Sequence, residues 1–327
     1  MKVITCFVML LPTLLFGQTS LVEPKHALLE SDIDTEAVSS DESTYSPTEP
    51  AIPESISARA QEAHGLLEQR IIREAATVDN PFVLTPHKPN YFLPIAYTSN
   101  PNDRAFLGDS DSENLQSVEF KFQLSIKFPM VYDVVGRNSS LWFAYTQQAF
   151  WQAYNSDISA PFRDTNHEPE IFIVTQPKKG LFGIKPSYVS YGFNHQSNGQ
   201  SDDLSRSWNR FYVDFVFETE DTAFSIKPWY RVPESASNDD NANIENYFGY
   251  GEFNVIHVID DYSIDIMFRN NLKTSDNKGA VQVGFTFPLW GKSRGYLQYF
   301  NGYGQSLLDF DHHTQSLGVG IMLTNWL

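Results

Sequence analysis

His195 and Ser197 stand two residues apart in the run YGFNHQSNG, and Asn209 follows in SRSWNRF. An imidazole that removes the proton of a serine hydroxyl turns that oxygen into a nucleophile able to attack an ester carbonyl. An amide oxygen on the other ring nitrogen would hold the imidazole in the required tautomer. The chemistry available to the three is therefore acyl transfer through a serine. It needs all three side chains on one surface. A His-x-Ser pair by itself is also an ordinary way for a strand to end, so the elements that carry the residues decide the matter.

Those elements read as two strands. Val189, Tyr191 and Phe193 alternate with Tyr188, Ser190, Gly192 and Asn194, and the apolar phase continues into His195 and Ser197. After a short connection, Phe211, Val213, Phe215 and Phe217 share a phase with Asn209, while Trp208, Arg210, Tyr212 and Asp214 take the other side. Residues two apart on a strand share a face. A hairpin would bring His195, Ser197 and Asn209 together at one rim of an apolar wall. Polar groups on such a wall are costly unless partnered. A neutral Asn costs less there than an Asp and stabilises an imidazolium less.

The same alternation recurs along the chain. Val118, Phe120, Phe122, Leu124, Ile126 and Phe128 alternate with Glu119, Lys121, Gln123, Ser125 and Lys127, which no helix face can do. Further sets are Phe224, Ile226, Tyr230 and Val232; Tyr262 to Phe268; Val281 to Phe287; and Leu317 to Leu327. The polar phase carries large charged groups, which suits a hydrated lumen, and the chain closes on Trp326-Leu327 without a polar tail. These features predict an all-β transmembrane antiparallel barrel rather than a soluble sandwich; the runs suggest eleven or twelve strands, and closure favours the even number, twelve. In the strand Leu141, Phe143, Tyr145, Gln147, Ala149, Trp151, an amide interrupts the apolar phase.

Composition agrees. Among 327 residues, 41% are hydrophobic and 14% aromatic, which is too polar for a helical membrane protein and sufficient for a barrel. The net charge of −17 argues against nucleic acid, whose phosphates need a basic surface. The single cysteine, Cys6, excludes an internal disulfide or thiolate metal site. It lies in MKVITCFVMLLPTLLFG, residues 1–17, which reads as a secretory signal peptide too short to span a bilayer. Residues 18–88 are rich in Asp, Glu, Ser, Thr and Pro and read as a disordered acidic spacer, with a short helix expected within Ala58 to Ala76; residues 89–327 form the barrel.

The run HQSNGQSDDLSRSWNR, residues 195–210, closely resembles the active-site hairpin of the outer-membrane phospholipase A family. SAPFRDTNHEPEIF (159–172), KPWYRVPE (227–234), GYGQSLLDF and GVGIML are similar to it as well. The resemblance covers roughly Asn90 to Leu327 and leaves out the acidic segment. It implies a twelve-stranded barrel of the bacterial outer membrane that hydrolyses sn-1 and sn-2 acyl esters of phospholipids and lysophospholipids. Ser197 would be the nucleophile, His195 the general base and acid, Asn209 the orienter, and the Gly199 N–H part of the oxyanion hole. It further implies Ca2+, held by the Ser205 hydroxyl and the carbonyl of Gln200, a position often Arg in the family. Ser159 of a second subunit would complete the site, so that activity needs a homodimer with Gln147 bonding across its interface. Asp202 and Asp240 match residues of a secondary calcium site, although the loop before Asp240 differs in length. Without the resemblance, a non-catalytic porin or adhesin barrel and a lipid-modifying acyltransferase stay open.

Overall fold

The computed structural model describes residues 65–76, 80, 83–103, 106, 114–136, 139–177, 180, 186–235, 239–291 and 293–325. The signal segment 1–17, most of the acidic segment 18–88, and Trp326-Leu327 lie outside them.

Among the described residues twelve antiparallel strands follow one another in chain order: β1 (Asn90–Thr98), β2 (Val118–Tyr132), β3 (Ser139–Trp151), β4 (Phe162–Thr175), β5 (Tyr188–Ser197), β6 (Ser207–Glu218), β7 (Thr222–Arg231), β8 (Gly251–Ile259), β9 (Tyr262–Asn270), β10 (Gly279–Pro288), β11 (Arg294–Tyr303) and β12 (His313–Thr324). Each pairs with the next, and β12 returns to pair with β1, so the sheet closes into a barrel. Closure leaves no row of unpaired backbone groups along the wall. Thr85 and Pro86 add a two-residue pairing to Lys127 and Ile126 of β2.

The expected phases are the observed ones. Phe128, Phe143, Ile171, Tyr191, Phe211 and Val319 are exposed on the outside. Inside, Glu119, Lys121, Arg163, Glu170, Arg210 and Arg269 are buried. The lumen side is knitted by charge. Lys88 reaches Glu168 at 2.7 Å and Glu170 at 2.9 Å, and Arg163 bridges Glu119 at 3.0 Å and Asp309 at 2.5 Å. Buried ion pairs add little net stability, but losing one partner strands the other and costs several kcal/mol, about 3–5. A cavity of about 950 Å³ remains inside, and none of His195, Ser197 or Asn209 lines it.

The two ends differ. The connections that follow β1, β7 and β11, as far as their residues are described, lie at the same end as the 198–206 hairpin. There Trp208, Trp229, Ile244, Phe248, Leu307 and Phe310 form an apolar cluster inside the barrel mouth. The 304–312 connection is tied to the wall by Leu307 N–H donating to Asn166 Oδ1 (3.0 Å) and Leu308 N–H to Asp164 Oδ2 (2.9 Å). This packing fills the barrel mouth behind the strands that carry the hairpin.

At the opposite end lies helix α1 (Leu66–Ala75), within the stretch expected to be helical. Its apolar residue Leu67 packs with Ala223 and Ile256. The first-turn N–H groups of Leu67 and Glu68 donate to the Glu218 carboxylate at 2.7 and 3.3 Å. A carboxylate at a helix N-terminus satisfies orphan donors and complements the helix dipole. Lys127 holds the other end through Glu74 at 2.8 Å. Glu218→Ala is expected to destabilise this docking by about 1 kcal/mol. Hydrogen exchange should then show faster amides over 66–70 with the barrel strands unchanged; equal protection in wild type and variant would sink the capping role.

Candidate active site

Strands β5 and β6 pair with His195 opposite Asn209 and Ser197 opposite Ser207. Opposed residues of neighbouring strands point to one face. Their inward neighbours Asn194 and Trp208 are buried, and their outward companions Tyr191 and Phe211 are exposed, which puts His195, Ser197 and Asn209 on the outer wall. The sequence phases thus bring the three residues together.

His195 Nδ1 and Asn209 Oδ1 are 2.9 Å apart. With the amide oxygen as acceptor, Nδ1 carries the proton and Nε2 keeps its lone pair, the tautomer of a general base. Ser197 is two residues along the same strand and the same face; no hydrogen bond joins its Oγ to His195 here. Such contacts often tighten only around substrate.

The turn beyond Ser197 is built by Asn198. Its side chain donates to Leu204 O (2.8 Å) and accepts from Arg206 N (2.9 Å) and Gln200 N (3.3 Å), and its backbone N–H bonds Arg206 O at 3.0 Å. Gly199 follows with φ +65°, a left-handed conformation that suits glycine. Among the described residues its N–H donates to no protein acceptor, so it is free for an anionic oxygen beside Ser197.

Ser205 Oγ donates to Asp240 Oδ2 at 2.6 Å. Ser201 Oγ donates to Asp202 Oδ2 at 3.2 Å, and Asp202 is left-handed with φ 54°. Ser205 and Asp240 are therefore in contact, and Asp202 is held separately. Gln200 is exposed at the hairpin tip. Among the described residues no group of three or more His, Cys, Asp or Glu could hold a metal. The oxygens at hand are a hydroxyl, a carbonyl and one carboxylate, the hard donors that calcium takes in a weak site.

Ser159 lies at the same end, exposed in the turn between β3 and β4, with φ 63° and Ala160 at φ 48°. Two successive non-glycine residues in the left-handed region cost about 1–2 kcal/mol each. Ala160 N–H to Asn155 O (2.8 Å) and Trp151 Nε1–H to Ala160 O (2.9 Å) hold them there. Gln147 faces outward opposite His167.

Two neighbours were not singled out from the sequence. His167 of β4 pairs with Ser197 across the strand on the far side from Asn209, and its Nδ1 meets Tyr145 Oη at 2.6 Å. Its outward phase was legible, but not the partner strand. Glu234, in the coil after β7, accepts a hydrogen bond from Asn209 Nδ2 at 3.2 Å. No periodicity marks a coil residue.

A family profile described as phospholipase A1 matches residues 67–323. Phospholipase A1 of Klebsiella pneumoniae is 38% identical over 247 residues, 76% of this chain and 84% of that protein. Phospholipase A1 of Escherichia coli K12 is 37% identical over 247 residues, 76% and 83% of the two chains. Among solved structures, outer membrane phospholipase A from Escherichia coli aligns with a TM-score of 0.70 and 36% identity over 76% of this chain and 95% of that one. The Salmonella typhi outer membrane phospholipase dimer with bound calcium gives the same values.

Proposed function

The chain belongs to the phospholipase A1 family, and we propose that it is a calcium-dependent phospholipase of the bacterial outer membrane, active as a homodimer. The observation that carries the reading is the outward-facing His195–Asn209 hydrogen bond beside Ser197. A reactive group meant for solutes would sit in the lumen. One on the outer wall meets the acyl chains and ester bonds of lipid without their leaving the membrane. The end carrying the 198–206 hairpin is read as the outer-leaflet side. Residues 1–17 are proposed as a signal peptide and, of the segment 18–88 expected as an acidic spacer, residues 18–64 as that spacer; helix α1, Thr85–Pro86 and Lys88 at its end are instead joined to the barrel.

In this mechanism His195 Nε2 takes the proton of Ser197 as Oγ attacks the ester carbonyl carbon. The carbonyl oxygen takes up the negative charge and is met by the Gly199 N–H. The carbon–oxygen bond to the glycerol then breaks, and His195 returns the proton to that alkoxide, releasing a lysophospholipid. Water attacks the acyl-serine with His195 again as base, and the fatty acid leaves. Asn209 holds the imidazole through both steps. The Ser205 hydroxyl, the Gln200 carbonyl and Ser159 of the partner subunit would hold calcium, whose charge when bound stabilises the oxyanion. Asp202 and Asp240 are proposed for a secondary calcium site, and Gln147 for the interface, where an amide facing lipid gains from a partner across it.

The test uses phosphatidylcholine in detergent micelles with calcium, labelled on either chain. Both labels should appear as free fatty acid, and labelled lysophospholipid should be consumed. Release of label from one position alone would limit the reading to a single specificity. Transfer of the acyl group to an added alcohol in place of hydrolysis would favour an acyltransferase.

A further inference from the structure

Asn209 presents two faces. Its oxygen meets His195, and its amide nitrogen meets Glu234. The two contacts are mutually dependent, because a side-chain amide has one acceptor end and one donor end. A carboxylate can only accept, so Glu234 forces the NH₂ group to its side and the oxygen toward Nδ1. Rotating the amide by half a turn would set its oxygen against the carboxylate and its NH₂ against Nδ1–H, losing both bonds.

The segment is placed to do this. Val232 N–H donates to Asn209 O at 2.8 Å, which extends the β6–β7 ladder to the residue being oriented. Arg231, one residue earlier, is anchored inward to Asp239 at 2.6 Å and to Ala242 O at 3.1 Å. Pro233 has a fixed φ, which stiffens the step to Glu234. The carboxylate is half-buried and reaches Asn209 from the coil side.

We propose that Glu234 is a positioning residue for Asn209, so that the chain Ser197–His195–Asn209 ends in a negative charge one hydrogen bond beyond the neutral amide. This rests on the serine-hydrolase reading above and extends it. The neutral amide alone fixes the tautomer but offers an imidazolium little charge. The carboxylate behind it polarises the amide, making Oδ1 a better acceptor when His195 carries the proton. The charge stands one side-chain amide away from the imidazole; a carboxylate in direct contact with it would be more costly to desolvate. Other ionisable groups facing this region are His167 of β4 and Asp240, the latter engaged by Ser205; Asp239 is neutralised by Arg231.

The experiment compares Glu234→Gln, Glu234→Asp and Glu234→Leu with wild type and with Ser197→Ala, on micellar phospholipid at saturating calcium across pH. Glu234→Leu should lower kcat about tenfold or more with little change in KM. Glu234→Gln keeps an acceptor oxygen without the charge and should fall between Leu and wild type. In both variants the acidic limb of the pH–rate profile should move to lower pH, since the protonated imidazole has lost a favourable charge. Glu234→Asp should recover part of the lost rate. A merely structural role would scale the rate and leave the profile in place. Wild-type kcat and an unmoved limb in Glu234→Leu would overturn the proposal while leaving the nucleophile untouched. Equal activity of wild type and Ser197→Ala would instead overturn the hydrolase reading on which it rests.

Discussion

Ser197→Ala is expected to lower calcium-dependent fatty-acid release by on the order of 10⁴-fold or more, with the barrel intact. Removing a serine nucleophile ends the covalent route, and only what the oxyanion donors and binding supply remains. The substitution has no structural reason to cost stability. Ser197 ends a strand, is half-buried, and its hydroxyl makes no side-chain hydrogen bond among the described residues, so alanine leaves no stranded partner. Asn209→Ala should cost less, roughly 10²-fold, because His195 remains as base with its orientation loosened. The measurement is initial rate in mixed micelles, with folding checked by strand circular dichroism and heat-dependent gel migration. A Ser197→Ala protein that folds and hydrolyses lipid at the wild-type rate would remove Ser197 from the mechanism, and the outward hairpin would need another explanation.

Chelation of calcium is expected to have the second largest effect. With EDTA the rate should fall by at least about 10²-fold, the scale of losing one charged stabiliser of an oxyanion. It should return on adding calcium, and magnesium should substitute poorly, since it demands a tight octahedral shell that hydroxyl and carbonyl donors on an exposed hairpin do not build. The side chains make a sharper statement. In the structure the Ser205 hydroxyl is committed as donor to Asp240 at 2.6 Å. Its oxygen lone pairs stay available, so a cation can bind without breaking that bond, and the adjacent carboxylate adds attraction. Ser205→Ala should raise the half-saturating calcium concentration about tenfold, a loss of about 1.4 kcal/mol at the scale of one ligand, with maximal rate less affected. Identical rates in calcium and in EDTA would show that the Gly199 N–H suffices and that these oxygens serve the hairpin alone.

Much of this was legible in the sequence because a strand declares its two faces. In β2 every second residue from Val118 to Phe128 is apolar, and in the structure Glu119, Lys121 and Ser125 point inward, as that phase requires. The same rule put His195, Ser197 and Asn209 on one face before their distances were known. It fails where the backbone breaks step. In β1, Pro94 has no N–H for the ladder, the register with β2 slips between Leu93 and Ala96, and Pro94 and Ile95 both turn outward. No alternation announces that strand.

Contacts between strands far apart in the chain were also hidden. The meeting of Lys88 with Glu168, or of Arg163 with Asp309, depends on barrel stagger and on how connections fold into the mouth. A helix was expected near Leu66, from its apolar spacing, but its seat on Glu218 was not, since a single carboxylate some 150 residues away leaves no local pattern. Glu234 escaped for the opposite reason: it lies within KPWYRVPE, a stretch matched for its resemblance, yet its role depends on which end of an amide faces it.

The outward placement of Ser197 sets how its substrate is counted. A serine in a lumen would sample a concentration in the surrounding water. A serine on the wall of a barrel encounters only molecules that share its sheet of lipid and arrive by sliding sideways, so its effective supply is a fraction of the surface rather than moles per litre. Doubling the total lipid while doubling an inert detergent with it leaves that fraction, and the turnover, unchanged. Diluting lipid with detergent in a fixed volume slows the reaction. For such a protein the membrane's composition is itself the throttle.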